Sequence, residues 1–169
     1  MLVRIQNKVI YKKYYEEGLF LKSQNDGNPV KKMELFHGTR NTSPEEIYKD
    51  KEESFNINYS SDSNLLGRGI YFAERSEYSD SYRHTEKITN TTFFGLSSNK
   101  VNLYSMFLCE VYVGQSEKCP QHSGAIKDTH YRDATKKVRY ESMTDYLNNS
   151  NVYVVYKSRR AYPLYLIKY

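Results

Sequence analysis

Met106-Phe107-Leu108-Cys109-Glu110-Val111-Tyr112-Val113 is the stretch that decides the fold. It is continuous, β-branched and aromatic, and it stops at Gly114, which makes it the strongest strand signal in the chain. Working outward, Leu2 to Ile5, Met33 to His37 and Gly69 to Ala73 read as short strands upstream. Val152 to Tyr156 and Leu164 to Tyr169, around Tyr162-Pro163, read as strands downstream. Helical signals are few. Ile10, Tyr11 and Tyr14 share one helix face, and the polar run Ser23 to Pro29 ends that helix. Ser43-Pro44-Glu45-Glu46 is a helix start, with Ser43 as cap, Pro44 at the first position and Glu46 completing a capping box. Ser76 is expected to cap a further helix carrying Tyr78, Ser79 and Tyr82. Asn56 to Gly67 reads as a polar loop, and Gln115 to about Asn151 as a long irregular segment. Short strands broken by a few short helices place the chain in the α+β class.

At 169 residues the chain is expected to be one domain, spanning 1–169. Its 38% hydrophobic and 27% charged content is that of an ordinary globular protein and excludes a disordered one. There are 18 Tyr, 7 Phe and no Trp, a composition that suits a wet cleft stacking a planar ligand and equally suits a tyrosine-filled core. Net charge is +5, but the Lys and Arg residues come as scattered doublets, so anionic partners in general are favoured and no particular one is named. Two cysteines build no disulfide framework, and no apolar stretch is long enough for a signal peptide or a membrane span. The expectation is a monomer in a reducing cytoplasmic or nuclear compartment, without membrane association.

Three segments carry a resemblance: Leu35-Phe36-His37-Gly38-Thr39, Gly67-Arg68-Gly69-Ile70-Tyr71-Phe72-Ala73, and Val152-Tyr153-Val154-Val155-Tyr156 with Ala161 to Ile167. Arg4-Ile5-Gln6-Asn7 with Tyr11 and Tyr14, and Tyr140-Glu141-Ser142, fit the same pattern. In order and spacing, from near residue 3 to the end, they resemble the catalytic domain of the poly(ADP-ribose) polymerase family, among the diphtheria-toxin-like ADP-ribosyltransferases. The resemblance implies an α+β ADP-ribosyltransferase fold: split, mainly antiparallel sheets and short flanking helices around an NAD⁺ cleft. It implies no helical regulatory subdomain within this chain.

The resemblance also assigns roles. It implies that the His37 imidazole bonds an NAD⁺ ribose hydroxyl and that the Gly38 backbone clamps the nicotinamide carboxamide, an approach that glycine permits. Taken alone, His37 reads rather as a structural histidine before a turn; the surrounding motifs favour the binding role. Tyr71 and Tyr82 take the positions of the two rings that sandwich the nicotinamide, with stacking and cation–π contributions of roughly 1 kcal/mol each. Ser79, at i−3 from Tyr82, is expected on the same helix face with its hydroxyl on the carboxamide oxygen. Gly69, Phe72 and Ala73 complete the NAD⁺-binding set, and Thr39 with the Asn56–Leu66 loop floors the adenosine side. NAD⁺ is the implied substrate, and no metal is implied.

Val152 departs from the polymerising members, which carry a glutamate there. Valine neither donates nor accepts a proton, and losing a positioned acid–base group costs roughly 10²–10⁴-fold in rate. Chain elongation is therefore not expected. Members with an apolar residue at this position are generally mono-ADP-ribosyltransferases, so single ADP-ribose transfer to a protein acceptor is the implied activity. A catalytically inactive NAD⁺- or ADP-ribose-binding pseudo-enzyme, and a transferase acting on nucleic-acid ends, are the alternatives. Lys157 and Arg160, where relatives often have Asp and Gln, put a local turn contact in doubt. Cys109, Cys119, His122 and His130 follow the spacing C-x9-C-x2-H-x7-H, which matches no common zinc pattern, and are set aside as a metal site.

Overall fold

The computed structural model describes residues 1–91, 98–122 and 126–169. Strand β1 (Leu2–Arg4) leads into α1 (Lys8–Gln24), then β2 (Lys32–His37) and the short helix α2 (Pro44–Tyr48). A 3-10 turn at Ile57–Tyr59 precedes β3 (Ile70–Ala73) and α3 (Ser76–Asp80). The rest is mostly strand: β4 (His84–Thr91), β5 (Ser98–Tyr112), β6 (Ser116–Lys118), β7 (Tyr131–Asp133), β8 (Val138–Arg139), β9 (Ser142–Leu147), β10 (Ser150–Val155) and β11 (Ala161–Lys168).

Among the described residues, nine strands join in the order β1-β11-β5-β2-β3-β10-β9-β6, with β4 also paired to β5, while β7 and β8 pair separately. All these pairings are antiparallel except β6 with β9. The long sheet is nearly split. Its two halves meet where β2 and β3 share the single register pair Phe36↔Ala73. This is the expected α+β architecture.

The apolar run at Met106 forms the centre of the first half, where β5 is flanked by β2 and β11. Leu35, Phe107, Cys109 and Val111 are fully buried there, each aliphatic or aromatic side chain contributing roughly 1.5–3 kcal/mol. Strand β5 begins eight residues before that run, because β4 pairs with its polar first part from His84↔Ser105 outward. Pro163 has no N–H to donate, and the β11 register shifts beside it.

Helix α1 is capped by Asn7, whose Oδ1 accepts from Val9 and Ile10 N–H at 3.0 and 3.2 Å. Its amide nitrogen reaches the carbonyls of Tyr48 and Asp50 at 3.1 and 2.9 Å, tying α1 to the end of α2. The buried face of α1 packs Ile10, Tyr14 and Leu21 on Tyr112 and Tyr162. Ser43 caps α2 by accepting from Glu45 N–H, with Pro44 at its start.

Three local expectations change. The described residues of 115–151 are not irregular: they hold β6 to β9 and the start of β10. These strands are two to six residues long and polar, so no apolar period announces them. Ser76 is the first residue of α3 rather than its cap; Arg75 holds the cap position without a side-chain bond. Helix α3 ends at Asp80, so Tyr82 lies beyond it and shares no helix face with Ser79.

Lys157 and Arg160 both turn towards α1. Lys157 Nζ stands over the Phe20 ring, 5.6 Å from its centroid. Arg160 is buried, with Nε 3.2 Å from Glu17 and a terminal nitrogen on the Glu141 carbonyl. The Glu141 carboxylate, also buried, accepts from Gln115 N–H at 2.8 Å. Arg160→Ala leaves Glu17 largely buried without its cation and is expected to cost about 3–5 kcal/mol. Urea unfolding checks this; a loss within experimental scatter shows that the ion pair does not hold α1 to the sheet.

Candidate functional site

A cleft of about 560 Å³ opens at the seam between the two half-sheets, a size typical of small-molecule and cofactor sites. It is lined from β2 onward by His37, Gly38, Thr39 and Arg40, and from the following loops by Phe55, Tyr59, Ser61 and Asn64. Gly69, Tyr71, Tyr78, Ser79 and Tyr82 complete the lining, the backbone of Ser79 and Tyr82 lying directly against Gly38. Among the described lining residues there is one arginine, many hydroxyls and amides, and no carboxylate. Such a cleft favours a polar, anion-bearing ligand with a planar group at its aromatic end.

His37 is held on both sides. Its ring lies 5.0 Å from Phe55 and 5.2 Å from Phe72, centroid to centroid, on a cluster that continues to Phe107. Its Nδ1 is 2.7 Å from the Tyr71 carbonyl oxygen. A carbonyl only accepts, so Nδ1 carries the proton and donates. Burial among the rings pulls the imidazole down to a pKa of about 4, against the opposing pull of the Tyr71 carbonyl. At neutral pH the ring is uncharged and Nε2 offers a bare lone pair.

Tyr71 is fixed by its phenol. The hydroxyl donates to the Gly67 carbonyl at 2.8 Å and accepts from Leu66 N–H at 2.9 Å. Tyr156 donates to the Leu66 carbonyl at 2.6 Å. The loop that ends at Leu66 is thus anchored beneath the cleft by two tyrosines. Burial pushes the Tyr71 phenol above its usual range, so it stays protonated.

Two glycines are there for closeness. A Cβ on Gly38 collides with the carbonyl oxygens of Ser79 and Tyr82, and the Arg40 N–H donates to that Tyr82 carbonyl at 2.8 Å. A Cβ on Gly69 collides with the Val154 side chain. Arg40 also lies over the Tyr82 ring, 4.6 Å from its centroid, and Tyr78 packs 5.4 Å from Tyr82. The aromatic wall is therefore braced from both sides.

A family model described as the poly(ADP-ribose) polymerase catalytic domain matches residues 2–169. The chain belongs to that family. A probable poly [ADP-ribose] polymerase of Dictyostelium discoideum is 30% identical over 168 residues, covering 98% of this chain and 42% of that protein. Protein mono-ADP-ribosyltransferase PARP12 of Homo sapiens is 24% identical over 169 residues, 98% of this chain and 21% of its own length. Protein mono-ADP-ribosyltransferase PARP11 of Mus musculus is 27% identical over 174 residues, 98% of this chain and 50% of its own. The chain thus spans half or less of each of these relatives.

In this polymerase-family domain the cleft gathers His37, Gly38, Thr39, Gly69, Tyr71, Ser79 and Tyr82 from four separate segments. Phe72, Ala73 and Val152 stand behind its wall. Phe72 backs His37. Ala73 is fully buried at the seam, opposite Phe36 on one side and Val152 on the other. Val152 is fully buried between Ala73 and Asp145, on the same sheet face as Tyr71 by strand alternation. Sequence reasoning passed over Arg40, Phe55, Tyr78 and Leu147 as lining residues. Arg40 directly follows the Leu35–Thr39 motif and Tyr78 adjoins Ser79, so adjacency was a usable signal for both. Leu147 falls in the segment read as irregular. Among the described residues no helix is long and apolar enough to cross a membrane.

His37 gives the fold a pH signature. Its folded pKa of about 4 lies below the ordinary 6.5, so on acidification the unfolded chain takes up this proton first. The stability tied to the neutral ring is complete above pH 6.5, declines as pH falls towards about 4, and changes no further below that. Between pH 7 and 4.5 the loss from this group is expected to be roughly 2–3 kcal/mol. Urea unfolding of the wild type and His37→Gln at both pH values checks it, since the variant should lose that much less. An equal loss in both proteins rules out a buried neutral imidazole at this position.

Proposed function

We propose that this domain transfers single ADP-ribose units from NAD⁺ to a protein acceptor and releases nicotinamide. The observation that carries the reading is the character of the cleft: neutral imidazole, tyrosine rings and hydroxyls, one arginine and, among the described lining residues, no carboxylate. Such a site binds and orients a dinucleotide, but its imidazole is a weak base and no carboxylate base stands among the described lining residues. The family uses NAD⁺, and the names of two relatives describe protein mono-ADP-ribosyltransferases.

In this reading the bare Nε2 of His37 accepts a ribose hydroxyl, and the Gly38 backbone pairs with the nicotinamide carboxamide, helped by the Ser79 hydroxyl. Tyr71 and Tyr82 enclose the pyridinium ring. The carbon–nitrogen bond between ribose and nicotinamide breaks, its electron pair leaves with the ring nitrogen, and the ribose develops oxocarbenium character. An acceptor carboxylate then bonds the anomeric carbon. Holding both partners in line supplies most of the acceleration. With valine at position 152 and buried, nothing at the family's glutamate position activates a sugar hydroxyl, so transfer stops after one unit.

Incubation with isotope-labelled NAD⁺ followed by intact-mass and peptide mass spectrometry tests this. Single additions of ADP-ribose with released nicotinamide are expected, and His37→Ala should lower the rate by about 100-fold or more. Long polymer overturns the reading of Val152. NAD⁺ binding without any transfer to protein overturns the transferase reading in favour of a binding module, and label found only on nucleic-acid ends overturns the choice of acceptor.

A further inference from the structure

Cys119, His122 and Asp145 meet beside β9; none of them lines the cleft, although Cys119 packs in the same apolar cluster as the lining residues Tyr71 and Leu147. The four-residue set that its spacing led us to set aside is dispersed by the fold. Cys109 is fully buried within β5, and His130 turns its Nδ1 to the Glu117 carboxylate. Only Cys119 and His122 of that set come together, and the third donor comes from a strand that sequence reasoning did not find.

The meeting follows from strand geometry. β6 runs parallel to β9 with Lys118 opposite Thr144, and Cys119 N–H donates to the Thr144 carbonyl at 2.9 Å. The ladder therefore carries one residue past β6, which sets Cys119 beside Asp145 on the same sheet face. The next three residues, Pro120 to His122, bring the imidazole back so that its Nε2 hydrogen-bonds Asp145 Oδ2. The thiol sulfur, an imidazole nitrogen and a carboxylate oxygen all lie within 4.8 Å of one another.

We propose that Cys119, His122 and Asp145 form a binding site for a divalent transition metal, with zinc the ion that their donors fit best. Thiolate, imidazole and carboxylate are zinc's usual ligands, at bond lengths of about 2.0–2.3 Å, whereas calcium and magnesium require oxygen donors throughout. A tetrahedral ion needs these donors roughly 3.5 Å apart. Rotation of the exposed His122 side chain opens its contact with Asp145 to that spacing, and small side-chain rotations of Cys119 and Asp145 bring the sulfur and the carboxylate oxygen to it. Binding exchanges the His122–Asp145 hydrogen bond for two metal bonds: the Nε2 proton passes through solvent to Nδ1, so the neutral imidazole ligates through Nε2, and the Cys119 thiol loses its proton to solvent as the metal–sulfur bond forms. Three protein ligands leave a fourth position for water.

The site bears on the cleft through β9. Asp145 is the register partner of Val152, and Leu147, two residues on, lines the cleft. A bound ion fastens the segment after β6 to the strand that borders the family's glutamate position.

The test uses the chain stripped with a chelator and titrated with Co²⁺, then Zn²⁺, without NAD⁺, so its outcome is separate from that of the transferase assay. The expected result is one Co²⁺ per chain with a near-ultraviolet thiolate charge-transfer band and tetrahedral visible bands, displaced stoichiometrically by Zn²⁺. His122→Ala and Asp145→Asn should each weaken Zn²⁺ binding by about 10-fold or more, and His130→Ala should leave it unchanged. Circular dichroism on each variant establishes that it remains folded. Absence of the charge-transfer band, binding indifferent to His122→Ala, or equal weakening by His130→Ala overturns the proposal.

Discussion

The structure depends on one bond across its seam, from His37 Nδ1 to the Tyr71 carbonyl. The half-sheets otherwise join there through a single register pair, Phe36↔Ala73. A seam so sparsely bonded leaves room for a cleft, and the imidazole that spans it settles three things together. It ties the end of β2 to β3, it fixes which ring nitrogen carries the proton, and it leaves the other nitrogen unprotonated beside the ligand space. The rings of Phe55 and Phe72 keep the imidazole uncharged by excluding water around it. Stability and binding chemistry are thus exercised by the same side chain.

Around that bond, tyrosine hydroxyls take on backbone groups that regular structure leaves free. Tyr71 and Tyr156 anchor the backbone at Leu66 and Gly67, and Tyr162 accepts from Asn7 N–H at 3.1 Å at the head of α1. A phenol combines apolar burial with one donor and one acceptor, which suits a chain with long polar loops that must still be held in place. Other tyrosine hydroxyls reach acidic side chains, as Tyr14 does Glu110 and Tyr153 does Glu74, and Tyr59, Tyr71, Tyr78 and Tyr82 line the cleft.

The legible parts of the fold were those with an apolar signature. The run at Met106, the strand into His37 and the strand at Ile70 all bury their side chains, and their patterns stood out. The first part of β5 did not, because it pairs with β4 away from the core and carries residues such as Asn99, Lys100 and Asn102. Strand β9 was missed for a related reason: Thr144 and Asp145 interrupt it, and its partner β6 is three residues long. At the site, glycines and rings in short motifs were readable, while Phe55 and Leu147 were not, since only tertiary packing brings them to the cleft. The convergence of Asp145 with Cys119 and His122 had no signal at all along the chain, because a parallel pairing 26 residues apart creates it.

The lack of acidic side chains among the described lining residues has a consequence for selectivity. On the proposed chemistry, no protein group there titrates between weakly acidic and neutral pH, so any pH sensitivity of turnover belongs to the incoming nucleophile. Each target then brings its own profile, set by the acidity of its carboxylate and the surface around it. Discrimination among targets passes from the domain to the molecules that dock against it.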